Sequence, residues 1–67
     1  MNDYYTLLVS GYGGKWAIDF GSYDLSDVEF EQDEICEYIS WANTKIIVTG
    51  DTQGEITRHV DNINATT

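Results

Sequence analysis

The stretch YYTLLVSGYGGKWAIDF, Tyr4 to Phe20, decides the fold that we predict for this chain. Its first seven residues, Tyr4 to Ser10, alternate between two faces and are mostly good strand formers. The segment from Lys15 to Phe20 alternates in the same way and puts three large apolar side chains on one face: Trp16, Ile18 and Phe20. Because GYGG between the segments is typical of a turn, we expect a β-hairpin.

The next segment, DLSDVEFEQDEICEY from Asp24 to Tyr38, predicts a helix. Ser26 and Glu29 have the spacing of a capping box, so the helix should begin near Ser26. Within this segment, VEFE (Val28 to Glu31) alternates apolar and acidic residues, as a strand would. On a helix, this order leaves Phe30 on the acidic side. The expected buried side comprises Val28, Ile35, Cys36, Tyr38, Ile39 and Ala42.

The last third of the chain predicts one more strand and one more helix. KIIVT, Lys45 to Thr49, is a short β-branched run that Gly50 and Asp51 end. A second capping box follows at Thr52 and Glu55, and the expected buried stripe of the second helix is Ile56, Val60 and Ile63. Residues 64–67 are expected to fray.

The predicted element order is therefore β-β-α-β-α in a single domain that spans residues 1–67. This order favours an α+β fold with a three-stranded, mostly antiparallel sheet in the order 2-1-3 and both helices packed on one face. A chain of this length buries only about 60% of the surface of its unfolded form, so its stability should be modest.

Charge is the extreme feature of the composition. Twelve acidic residues against three basic ones give a net charge of −9. Such a charge disfavours direct binding to nucleic acid or an anionic membrane and favours basic partners. No apolar run approaches the roughly 20 residues of a membrane span, and the amino terminus lacks signal-peptide character. We expect a cytoplasmic protein, and a monomer rather than a dimer.

Catalytic and metal chemistry find little support in the sequence. His59 is the single histidine and is expected at the boundary or surface of the second helix, where it is not a general base. Cys36 lies between Glu34 and Glu37, which disfavour a reactive thiolate, and we expect it to be a buried small side chain. The carboxylates lack EF-hand spacing. We predict no enzyme activity, no metal and no cofactor.

The acidic run from Asp24 to Tyr38 is the candidate site. Its seven carboxylates are spaced about 3 Å apart along a helix, close to the ~3.4 Å phosphate spacing of one DNA strand. Its i,i+4 pairs, Asp27 with Glu31, Glu29 with Asp33 and Asp33 with Glu37, are like-charged and destabilise a helix. The predicted partner-binding residues are Asp24, Asp27, Glu29, Glu31, Asp33, Glu34 and Glu37.

Two interpretations of these carboxylates stay open at this stage. One is a solvated face that maintains solubility, and the other is a surface that imitates nucleic acid or docks on a basic protein. Three aromatic residues near the run, Tyr23, Phe30 and Trp41, could anchor a partner if exposed, although we expect them in the core.

Three segments carry a resemblance: KWAIDFGSYD (Lys15 to Asp24), VEFE (Val28 to Glu31) and KIIVTGDTQGEI (Lys45 to Ile56). Together they resemble short phage and prophage proteins without assigned activity. As a class, small acidic proteins of mobile elements look like anti-CRISPR proteins and DNA mimics that block restriction enzymes or uracil-DNA glycosylase. This resemblance implies a non-enzymatic inhibitor in the cytoplasm of the host cell. Its implied partner is a basic nucleic-acid-binding host protein or a CRISPR effector complex. The alternative is an acidic adaptor that binds a basic protein without DNA mimicry.

Overall fold

The computed structural model describes residues 3–11 and 14–65. The elements follow the predicted order: β1 (Tyr4–Ser10), β2 (Trp16–Ser22), α1 (Leu25–Ile35), a short 3₁₀ turn (Trp41–Asn43), β3 (Thr44–Thr49) and α2 (Gln53–Ala65). The predicted α+β class and β-β-α-β-α order are confirmed. Tyr12 and Gly13 of the predicted GYGG turn lie outside the described residues.

The three strands form one antiparallel sheet in the order β2-β1-β3, which confirms the predicted strand order. β1 is the central strand and pairs with β2 on one side and β3 on the other. Leu7 and Leu8, neighbours in β1, are both 0% exposed. Because successive strand residues point to opposite faces, both faces of the sheet must be covered at this point.

The α2 helix covers the face to which Leu8 points, called here the Leu8 face. Leu8, Ile47 and Val60 form a buried cluster, and Trp16 and Ile63 pack against it. The predicted stripe of α2 is therefore confirmed: Ile56 and Val60 are buried and Ile63 packs on the core.

The α1 helix covers the opposite face, to which Leu7 points. Thr44 lies on this face because it is the cross-strand partner of Val9, and Gln32 of α1 donates from Nε2 to its Oγ1 at 2.8 Å. Gln32 and Val28, one turn apart, are the buried residues of α1. We expected both helices on one face, whereas the structure places them on opposite faces. A sheet of three strands is only about 10 Å wide, which leaves room for one helix per face.

A register shift in β2 alters the predicted faces of the hairpin. Ile18 pairs with Leu8 and Phe20 pairs with Leu7, so Asp19 is the extra residue of a β-bulge. Trp16 and Ile18 therefore share the Leu8 face while Phe20 lies on the Leu7 face. The prediction that all three share one face is wrong, because a bulge interrupts the alternation that the prediction assumed.

The ends of α1 also differ from the prediction. Its N-cap is Asp24, not Ser26, and the backbone at Asp24 is extended. The helix ends at Ile35 with Cys36 as its C-cap, so the expected buried side does not continue to Tyr38, which is exposed. Cys36 is half-buried instead of buried. The chain then runs through the 3₁₀ turn into β3.

The start of α2 follows its predicted capping box in part. The Glu55 N–H donates to Thr52 Oγ1 at 3.3 Å, as in that motif. The Glu55 carboxylate, however, accepts from the N–H of Gly50 at 3.0 Å, two residues before Thr52. At the other end, Asn64 is helical and held by β2, so the fraying expected for residues 64–67 does not apply to Asn64. Thr66 and Thr67 lie outside the described residues.

Candidate acidic binding surface

The seven predicted carboxylates lie on α1 and at its two ends. Six of them are exposed and Glu31 is half-buried. Five belong to the helix itself, Asp24 caps it, and Glu37 follows it by two residues. We call these seven residues the acidic surface.

The buried residues of α1 fix the direction of the acidic surface. Successive helical residues are rotated by about 100°, so Phe30 lies about 180° from the midpoint of Val28 and Gln32. Phe30 therefore points away from the sheet and is 64% exposed. This outward position matches the prediction that Phe30 lies on the acidic side. It contradicts the expectation that Phe30 belongs to the core.

Carboxylates line both sides of Phe30. By the same rotation, Glu29 and Asp33 form a row on one flank, one helical turn apart. Asp27, Glu31 and Glu34 form a second row on the other flank. The outer side of α1 therefore consists of an exposed phenyl ring between two acidic rows.

Two members of the acidic surface also stabilise the local structure. Asp24 accepts through Oδ1 from the Ser26 N–H at 3.0 Å and from Ser26 Oγ at 2.6 Å. The hydroxyl bond, followed by the backbone bond, lowers the pKa of the Asp24 carboxyl below its ordinary value. Ser22 Oγ donates to Asp27 Oδ2 at 3.3 Å. These two carboxylates thus fix the start of α1 against the end of β2.

The like-charged pairs on α1 have no such structural explanation. Asp27 with Glu31 and Glu29 with Asp33 remain like-charged i,i+4 pairs within α1. The third predicted pair, Asp33 with Glu37, is not a helical pair, because α1 ends before Glu37. The last turn of α1 contains no basic residue that would favour the negative end of the helix dipole.

The basic side chains of the described residues are engaged or placed away from the acidic surface. Lys15 donates to the carbonyl of Asn64 at 3.2 Å, and the Lys45 ammonium lies 5.1 Å from the centre of the Trp16 ring. Arg58 lines a groove beside β3. The negative charge of the acidic surface is therefore left uncompensated within the part of the chain that the structure describes.

Other aromatic side chains expected in the core are exposed as well. Trp41 lies in the 3₁₀ turn, and Tyr23 lies in the connection between β2 and α1. The Tyr23 ring packs edge-on against Tyr4 at 5.0 Å between centroids, and its hydroxyl donates to Asp51 Oδ2 at 3.2 Å. This bond to Asp51 and, to a smaller extent, desolvation raise the pKa of Tyr23. Tyr23 thus has a structural partner, whereas Phe30 presents its ring to solvent.

The described residues offer little else for chemistry. No group of three potential metal ligands occurs among them. His59 is half-buried beside the groove at β3, in agreement with its predicted boundary position. Neither helix of the described residues has the length and apolar composition that a membrane crossing needs.

Three searches, against protein-family models, curated proteins and solved structures, found no match for this chain.

The sequence predicted which carboxylates lie on and beside α1 but not two features that organise them. Gln32 is buried although it is polar, and its bond to Thr44 orients α1 on the sheet. The spacing of Val28 and Gln32, four residues apart, is the signal that could have identified this side of the helix. The second missed feature is the exposure of Phe30, which follows once that buried side is known.

Proposed function

We propose that this chain is a non-enzymatic inhibitor whose acidic surface occupies the basic nucleic-acid-binding site of a partner protein. The partner that we propose is a host-defence effector, in particular a CRISPR effector complex, as the resemblance to mobile-element proteins implies. The observation that carries the proposal is the pair of carboxylate rows on α1, which no basic side chain of the described residues neutralises.

Charge density supports mimicry of a nucleic acid. Eleven helical residues rise about 16 Å, and five carboxylates lie on that length with one more at each end. The average spacing is thus about 3 Å, close to the phosphate spacing along a DNA strand. Each carboxylate would pair with a Lys or Arg that otherwise contacts phosphate, and the field of the surface would accelerate encounter.

Phe30 favours a second candidate, an acidic adaptor that docks on a basic protein without imitating DNA. An exposed ring at the centre of a polar surface is the arrangement expected of an apolar anchor in a protein interface. A phosphate backbone has no equivalent of this ring. The two candidates share the acidic surface and differ in whether nucleic acid competes for the same partner site.

Capture of a host protein followed by competition separates the two candidates. The immobilised chain is incubated with host lysate, the captured protein is identified and purified, and its affinity is measured with and without duplex DNA. The test variant is Glu29→Lys with Asp33→Lys, which reverses one acidic row. The control is Asp19→Lys with Asp61→Lys, the same charge change on exposed residues of β2 and α2.

Mimicry predicts that DNA releases the captured protein, that added salt weakens binding, and that the test variant loses affinity while the control variant keeps most of it. If the test variant loses affinity but DNA does not compete, the adaptor is correct. If both double variants bind as tightly as the unmodified chain, or if no basic protein is captured, the acidic surface is not the binding site.

Phe30→Ala measures the contribution of the ring separately. Because the ring is mostly exposed, the free energy of unfolding should change little. Affinity for the captured protein should fall by about tenfold or more if the ring is an interface anchor. Unchanged affinity would show that the ring does not contribute and that binding depends on the carboxylates of the acidic surface.

A further inference from the structure

Three large aromatic side chains on α1 and just after it remain in solvent. Phe30 is 64% exposed, Tyr38 is 84% exposed and Trp41 is 61% exposed. None of the three packs against another aromatic ring of the described residues, in contrast to Tyr23. Because Tyr and Trp are the residues that most often anchor a partner protein, these rings extend the candidate contact beyond Phe30.

Backbone hydrogen bonds keep Tyr38 and Trp41 beside α1. The Tyr38 N–H donates to the Ile35 carbonyl at 2.9 Å, so the chain continues in a tight turn at the end of the helix. Further along, Thr44 Oγ1 donates to the Trp41 carbonyl at 2.7 Å and accepts from Gln32 at 2.8 Å. Between the first and the last of the three rings, the chain has four acidic residues and no basic one. Exposed rings and carboxylates therefore occur together.

The charge density of the acidic surface is that of a single nucleic-acid strand. Its carboxylates are spaced about 3 Å apart along the helix axis. One strand of DNA carries a phosphate every ~3.4 Å, whereas a duplex carries a charge every ~1.7 Å when both strands are counted. The acidic surface therefore supplies only about half of the charge per unit length that a duplex presents to a protein.

The exposed rings distinguish a single strand from a duplex in a second way. In a duplex, the faces of the bases are stacked inside, and a protein meets phosphates and base edges. Proteins that bind single strands combine a basic groove with aromatic side chains on which successive bases stack. A ring presented between carboxylates fits such a stacking platform, and it has no counterpart on the outside of a duplex. Grooves of this kind hold about 4 to 16 nucleotides, a range that includes seven charges.

We infer that the acidic surface occupies a groove that binds single-stranded nucleic acid, with its carboxylates in the positions of phosphates and the rings of Phe30, Tyr38 and Trp41 in the positions of bases. This inference rests on the function proposed above and specifies the class of partner. It gives the charges and the rings one role in the same contact.

Competition by three probes on the captured partner protein tests the inference. The probes are an oligothymidylate of about 12 nucleotides, a duplex of the same length, and a sugar-phosphate oligomer of the same length without bases. The oligothymidylate should release half of the bound partner at about tenfold lower concentration than either of the others. The duplex competes only through its phosphates, and the oligomer without bases offers no face for stacking.

Substitutions that remove a ring but keep an apolar side chain test the stacking. Phe30→Leu and Tyr38→Leu should each weaken binding about fivefold or more. Phe30→Tyr and Tyr38→Phe retain an aromatic face and should keep the affinity within about twofold. Val48→Ala is the control, since Val48 is 49% exposed but lies in β3, and it should leave the affinity unchanged. Circular dichroism checks that all variants are folded.

Failure of this inference differs from failure of the proposed function. If the duplex or the oligomer without bases competes as well as the oligothymidylate, the partner groove is not one for single strands, although the inhibitor function still stands. The same conclusion follows if both Leu variants bind as tightly as the unmodified chain. If none of the three probes releases the partner, or if no partner is captured, nucleic-acid mimicry is wrong and this inference is wrong with it.

Discussion

The side-chain amide of Asn64 bonds both backbone groups of Trp16. The Trp16 N–H donates to Oδ1 at 2.7 Å, and Nδ2 donates to the Trp16 carbonyl at 3.0 Å. The Asn64 side chain of α2 thus makes the two hydrogen bonds that the backbone of a neighbouring strand would make to Trp16, the first residue of β2. This contact joins residues 48 positions apart in the chain and orders the last turn of α2, which sequence reasoning expected to fray.

Asn64→Ala should destabilise the domain by about 1 to 3 kcal/mol, because it leaves two part-buried backbone groups of Trp16 without partners. Urea denaturation, monitored by tryptophan fluorescence, measures the change in the free energy of unfolding. Asn43→Ala is the control, since Asn43 is an exposed residue of the 3₁₀ turn. Equal effects of the two substitutions would contradict the role assigned to Asn64.

Thr6→Val should increase stability. Thr6 is 1% exposed in the central strand, and its Oγ1 has no hydrogen-bond partner among the described residues. Valine has a similar shape and removes a buried hydroxyl whose desolvation costs about 1 kcal/mol or more. Thermal denaturation should show a higher Tm for the variant. Thr57→Val, at an exposed position of α2, controls for the general effect of the substitution.

Gly21→Ala should destabilise the domain through a contact with Tyr4. A methyl group at Gly21 would lie 2.8 Å from Tyr4 Cε2, so the ring would have to move from its edge-on position against Tyr23. Overpacking of this kind costs about 1 to 3 kcal/mol. In the Tyr4→Ala background the same substitution should cost much less. Additive free energies of unfolding in this double-mutant cycle would rule out the steric explanation.

Asp24 should make α1 sensitive to acid. Its folded-state pKa is lowered, so its contribution to stability is fully present above the unfolded value of about 4 and is lost as pH falls through the folded-state pKa. Asn is also a good N-cap but does not titrate in this range. The free energies of unfolding of Asp24→Asn and of the unmodified chain are compared by denaturation at several pH values. As pH falls, the unmodified chain should lose stability relative to the Asn variant. A difference independent of pH would exclude the Asp24 carboxylate as an ionised cap.

Local sequence patterns predicted most of the elements but not how they pack. The alternation in β1 and the stripe of Ile56, Val60 and Ile63 were sufficient to place their elements, because one buried face produces a regular period. The bulge at Asp19 has no such signature, since it depends on how two strands pair. The faces on which the helices pack depend on sheet width and on the Gln32 bond to Thr44, neither of which the local pattern records.

For the candidate site too, some features follow directly from the sequence and others depend on how the chain folds. The number and positions of its carboxylates are direct properties of the sequence, and so is the absence of Lys or Arg between Lys15 and Lys45. The outward direction of the Phe30 side chain is not a direct property of the sequence, because the strand-like alternation of VEFE competes there with helical periodicity. The end of α1 at Ile35, which separates Glu37 from the helix, was also not evident from composition.

The central position of β1 has a consequence for synthesis of the chain. β1 precedes both of its neighbours in the chain, and it needs β2 on one side and β3 on the other. Its most C-terminal partner in β3 is Thr49. Until the ribosome has released that residue, one edge of β1 stays unpaired, and the Leu8 face then stays open until α2 has formed. The acidic helix is made during this interval, so its strong negative charge would keep the unfinished chain soluble while its apolar surfaces are still exposed.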